Sequence, residues 1–62
     1  VDDAILEAET AISQLLNGER NSVELMPRSS FVRRLQHQMA ERYNVRSESR
    51  GREPHRRVKV SR

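Results

Sequence analysis

No cysteine occurs in the chain, which removes disulfides and thiolate metal sites from consideration. The two histidines, His37 and His55, lie far apart without a ligand spacing between them, so structural zinc is set aside as well. Tryptophan is absent, and the aromatic set is one phenylalanine and one tyrosine, too few for a row of base-stacking platforms. Lysine is nearly missing, Lys59 being the single one among 12 basic residues. No apolar run approaches the roughly 18 residues of a membrane span, and the amino end is acidic where a secretory leader would be basic. A domain of 62 residues hides only about 60% of its unfolded surface. Hydrophobic and charged residues each make up 34% of the chain, which borders on disorder-prone composition, so folding rests on a few well-placed apolar positions. The opening valine leads us to expect a domain cut from a longer chain.

What is present is arginine, unevenly placed. From Val1 to Leu25 there are six acids and one base, a charge of −5. From Met26 to Arg62 there are eleven bases and three acids, a charge of +8, which restores the overall +3. Arginine's planar fork of donors suits bidentate phosphate and base contacts, whereas lysine acts more as a point charge. A basic, arginine-biased segment points to nucleic acid or to an anionic surface.

Periodicity gives the elements. "DDAILEAETAISQLLNGE" predicts a helix, with Asp2 or Asp3 at its start, Asn17-Gly18 as a left-handed stop, and Ile5, Ala8, Ile12, Leu15 and Leu16 as its apolar stripe. "SVELMP" alternates like a short strand that Pro27 ends. Ser29 or Ser30 caps a second helix over 31–43. At 100° per residue, Val32, Leu35, Met39 and Tyr43 share one sector of that helix, and Ser30, Arg33, His37 and Glu41 share roughly the opposite one. Phe31 and Tyr43 are expected in the core. "VRSES" and "RRVKVS" alternate as two strands joined through "RGREPH", whose Gly51 and Pro54 are turn chemistry. The order helix, strand, helix, strand, strand implies an α+β domain. One small sheet would be polar on one face and covered on the other by both helices, burying Val23, Leu25, Val45, Val58 and Val60. A single domain spans 1–62, with an acidic first helix at 1–18 and a basic strand–helix–hairpin part at 22–62.

The second helix holds the residues of interest. Arg33 and His37 lie one turn apart on one face, where both can reach a single bound group. Two groups that share a sign when the imidazole is protonated are not an i,i+4 pair chosen for stability. The ordinary readings are a solvated helix face, or an imidazole held by Glu41 one turn further on. Against the first stands the lead-in "PRSS", where Arg28, serine hydroxyls and free backbone N–H groups make an anion site at the helix start.

"RRLQHQMAERYNV" followed by "RSESRGREPHRRVKV" resembles the R-3-H domain, named for its Arg-x-x-x-His spacing. Arg-x-x-x-His alone is a weak signal. Joined to Ala40, Tyr43, Gly51 and the run Glu53-Pro54-x-Arg56-Arg57-Val58, it becomes a specific one, and the resemblance covers nearly the whole chain. It implies a three-stranded antiparallel sheet with two helices packed on one face, and single-stranded DNA or RNA as the partner. It also implies that Arg33 and His37 belong to a phosphate-contacting surface. The "LMPRSS" lead-in and "EPHRR" tail look most like versions at the C-terminal end of larger bacterial, cyanobacterial or plastid proteins, some carrying a P-loop ATPase domain and others a KH domain.

The expected function is thus a non-catalytic binding module for single-stranded nucleic acid with little sequence preference, since phosphate contacts position a strand without reading it. Candidate contacts are Arg33, His37, Arg28 and Ser30, with Arg50, Arg52 and Arg56 added from charge and position. On this reading, both groups of the Arg33–His37 pair point into water, and Arg33→Ala weakens binding without disturbing the fold. No cofactor, metal or membrane is expected. The isolated domain is expected to be a monomer in a cytoplasmic or plastid-stroma-like compartment, with other domains of the same longer chain as further partners. The alternative is a protein-interaction domain that docks its acidic helix or open sheet face onto an attached ATPase or KH module or a ribosomal partner. An enzyme is disfavoured: Ser30 and His37 share a face, but no oxyanion site, orienting acid or cleft assembles with them.

Overall fold

The computed structural model describes residues 2–62. Its elements are α1 (Asp2–Leu16), β1 (Ser22–Glu24), α2 (Ser30–Arg42), β2 (Arg46–Arg50) and β3 (Arg57–Ser61). The strands form one antiparallel sheet in the order β1-β3-β2, and both helices pack on one face of it. The last strand in the chain therefore lies in the middle, and β1 and β2 are both edges.

Local chemistry sets the boundaries. Past Leu16, the N–H of Gly18 donates to the Leu15 carbonyl and that of Glu19 to the Gln14 carbonyl, with Gly18 at φ 77°. That is the left-handed stop expected at Asn17-Gly18. At the start of α2 the cap is Ser29, whose hydroxyl accepts from the Val32 N–H at 3.3 Å. The helix ends on Asn44 at φ 60°, with Val45 N–H donating to the Ala40 carbonyl at 3.0 Å. Asparagine tolerates this conformation better than a branched residue would.

The core is where the alternation placed it. Leu25, Val45, Val58 and Val60 are buried, and Val23 packs against them half-buried. α1 contributes Ala4, Ala8, Ala11, Ile12 and Leu15. Its alanines let the helix lie close to the sheet, while Leu16 turns outward.

α2 departs from the sequence expectation. Its buried residues are Arg33, Gln36 and Ala40, whereas Val32, Leu35 and Met39 are only half-buried along one flank. The inward sector is rotated by about 90° from the apolar stripe when residues are placed at 100° each. Phe31 and Tyr43, expected in the core, are 60% and 45% exposed. The physical reason lies in polar groups that find partners across the fold, although Gln36 Oε1 is buried without one among the described residues. Gln36 reaches across to α1 and donates from Nε2 to the Ala4 carbonyl at 3.2 Å, and Arg33 donates to the Arg28 carbonyl and to Glu53 on its other side. A polar residue with partners can occupy the centre of an interface, and Ala40 then allows close approach.

Candidate nucleic-acid interface

Arg33 sits on the inward sector of α2, and its guanidinium ties three segments together. Nη1 donates to the Arg28 carbonyl at 2.6 Å, and Nη2 to Glu53 Oε2 at 2.9 Å. Longer contacts from Nη1 reach Glu53 Oε1 at 3.4 Å and the Arg56 carbonyl at 3.5 Å. The residue is 7% exposed. It fastens the lead-in to α2 and both ends of the Glu53–Arg56 stretch of the hairpin loop. This corrects the expectation that its guanidinium points into water.

The Arg33 guanidinium holds the Glu53 carboxyl below its ordinary range, chiefly by the hydrogen bond. The same loop depends on Gly51 at φ 83°, where an added Cβ would lie 2.5 Å from the Arg57 Nη1 atom and 3.3 Å from the His55 carbonyl. Arg56 closes the loop by donating from Nη1 to the Gly51 carbonyl at 2.9 Å.

His37 is half-buried, one turn along from Arg33. Its Nδ1 lies 2.7 Å from the Ser47 hydroxyl and its Nε2 2.9 Å from the Ser49 hydroxyl. The holder of the imidazole is thus β2 and not Glu41. Burial, then the charges of Arg33 and Arg56, push its pKa below the ordinary 6.5, so the ring is neutral at pH 7. A neutral imidazole donates to one serine oxygen and accepts from the other hydroxyl. The serine that accepts keeps its own O–H free to donate outward. Protonation would make both ring nitrogens donors and release both hydroxyls.

The backbone of β2 adds to this. Leu25 N–H donates to the Val58 carbonyl at 2.8 Å, so Val58 and Val60 turn their backbone groups toward β1. Hydrogen-bonded pairs alternate in an antiparallel ladder. Arg57, Lys59 and Ser61 then bond to their partners Arg50, Glu48 and Arg46, and Ser47 and Ser49 direct N–H and C=O to the open edge. Hydroxyls, edge amides and imidazole therefore converge on one rim.

The other expected contacts divide. Arg52 and Arg56 lie in the loop beside this rim, Arg52 exposed and Arg56 half-buried. Arg50 is the last residue of β2 and not a loop residue; its Nε pairs with Glu48 at 3.2 Å on the uncovered sheet face. Arg28 pairs with Glu7 of α1 at 3.4 Å and turns away from open solvent, its Nε lacking an acceptor among the described residues. Ser30 is exposed in the first turn of α2. Sequence reasoning missed Ser47, Ser49 and Arg46. The signal was there: "VRSES" places two serines, not apolar residues, on the face that the sheet buries.

No group of three or more potential metal ligands occurs among the described residues. The fold is a small α+β domain of two helices on a three-stranded antiparallel sheet, with hydroxyls, amides and arginines at one sheet edge. The chain belongs to the R-3-H domain family, whose profile matches residues 3–62. That family is one of single-stranded nucleic-acid-binding domains and not of catalysts. The chain is also 37% identical, over 57 residues and 92% of its length, to "Uncharacterized protein ycf45" of Porphyra purpurea. It spans only 10% of that relative. No solved structure matches it significantly.

Proposed function

We propose that the chain holds single-stranded nucleic acid along the free edge of β2, through its phosphates and without chemistry. The observation that carries this reading is the convergence of Ser47 and Ser49 on His37, with their backbone N–H groups facing out at the same edge. Arg46 and Arg50 flank the strand on the uncovered face, and Arg52 and Arg56 flank it on the loop. A phosphate at the rim meets hydroxyl and amide donors at short range and guanidinium charge around them. Arg33 acts from behind, by fixing the loop that carries Arg52 and Arg56.

Stacking contributes little. Phe31 and Tyr43 stand about 18 Å apart along α2 at 1.5 Å per residue, so they form no common platform. Binding is therefore dominated by charge and falls steeply with salt.

Two variants test this with an oligonucleotide titration. Arg52→Ala is expected to lower the log–log salt slope by about 0.7, one phosphate contact on a single strand, with an unchanged melting temperature. Ser47→Ala combined with Ser49→Ala is expected to weaken binding and to abolish amide shifts at the β2 edge. Shifts centred instead on α1, with parental affinity in both variants, would refute the assignment.

A further inference from the structure

The free edge of β2 carries acceptors as well as donors, and a phosphate uses only the donors. With Arg57, Lys59 and Ser61 bonded to Arg50, Glu48 and Arg46, both Ser47 and Ser49 turn N–H and C=O to the open side. Among the described residues no other group bonds to them there. The edge therefore repeats one donor and one acceptor at every second residue, about 6.6 Å along the strand. The serine hydroxyl that His37 leaves free adds a donor on the helix side, and Arg46 and Arg50 add theirs on the uncovered face.

A ligand made of acceptors alone satisfies half of this pattern and sets its negative charge against the two carbonyl oxygens. The backbone of DNA is such a ligand, since its phosphates and ether oxygens include no hydrogen-bond donor. The backbone of RNA has one donor per nucleotide, the 2′-hydroxyl, beside the 3′-phosphate.

We propose that the β2 edge selects RNA over DNA, each outward-facing residue taking one nucleotide, with its N–H on the phosphate and its C=O on the 2′-hydroxyl. The inference rests on the phosphate contacts proposed above and adds the sugar that goes with them. Ser47 holds one nucleotide and Ser49 the next, because two residues of strand advance about as far as one nucleotide of an extended chain. Bases remain unread, as phosphate and 2′-hydroxyl are common to all of them. An added peptide strand would use the same backbone groups, but the arginines around the rim favour the anionic ligand.

The test is a titration with three oligouridylates of equal length that differ only at the 2′ position, carrying hydroxyl, hydrogen or fluorine. The ribo strand is expected to bind about fivefold tighter than the deoxy strand, the effect of two exposed hydrogen bonds at the low end of their net worth. Fluorine keeps a ribose-like pucker without a donor, so the 2′-fluoro strand is expected to bind like the deoxy strand. The carbonyl-carbon resonances of Ser47 and Ser49 are expected to move with the ribo strand alone. Equal affinity for ribo and deoxy strands, with the Ser47 and Ser49 amides still shifting, would overturn the RNA preference and leave the phosphate contacts in place. A 2′-fluoro strand as tight as the ribo strand would overturn it too, since pucker and not the hydroxyl would then be recognised. If no strand shifts this edge, both proposals fall. Edge shifts that grow with protein concentration alone would assign the edge to a second copy of the chain instead.

Discussion

Replacing Arg33 with alanine separates two roles that the sequence alone left joined. If the guanidinium were a solvent-facing phosphate contact, the substitution would reduce binding and leave stability untouched. The structure requires the reverse order of effects. The side chain is 8% exposed and donates a 2.6 Å hydrogen bond to the Arg28 carbonyl. A hydrogen bond of a charged donor to a partly buried acceptor is worth about 1.5–3 kcal/mol. The buried methylene stem adds about 1 kcal/mol. The Glu53 side chain is 62% exposed and returns to water when its partner is removed, so it is left out of the sum. The total is about 3 kcal/mol, which lowers the melting temperature of a domain this small by about 12–24 °C. Thermal unfolding by circular dichroism reads this directly, and Glu53→Gln should cost less than Arg33→Ala. Affinity should fall only in proportion to the disordered loop, and should be partly restored at low temperature. A variant that melts within about 2 °C of the parent yet no longer binds would refute the anchoring role.

Two other outcomes follow from the same geometry. Because the folded pKa of His37 is depressed below its unfolded value of 6.5, the folded state binds fewer protons there, and this residue's contribution to stability is lost as pH falls below that value. A bound phosphate favours the imidazolium and frees both serine hydroxyls, so oligonucleotide affinity should rise as pH falls from about 7 to about 5.5, and His37→Gln should flatten that profile. Glu24 and Glu53, whose pKa values are also lowered, lose their contributions only below the ordinary carboxylate value of 4.5, so the two windows are separable by titration. Gly51→Ala should destabilise the domain by about 1–2 kcal/mol, since an L residue is strained at φ 83° and the added Cβ crowds the Arg57 guanidinium; an unchanged urea midpoint would count against this.

The composition, the alternation of Val58 and Val60, the caps at Ser29 and Asn44 and the arginine-rich half were enough to determine the α+β class, the element order and most of the core. These features are local, or nearly so: a strand's period, a capping hydroxyl and a left-handed stop depend on neighbours a few residues away. The Arg-x-x-x-His spacing, read with the downstream hairpin pattern, likewise pointed to the family. What no local pattern could decide was which way α2 faces. Apolar periodicity assumes that the buried sector is the apolar one, and on α2 the rule fails. Gln36 finds the Ala4 carbonyl 32 positions away in the chain, and Arg33 finds Glu53 20 positions away. Only the tertiary structure brings those partners within reach, and their hydrogen bonds offset part of the cost of burying the polar groups, Gln36 Oε1 being left without a partner among the described residues. The same folding turned the Arg33 guanidinium inward, where it fastens the hairpin loop, and placed Ser47 and Ser49 beside His37 at an open edge.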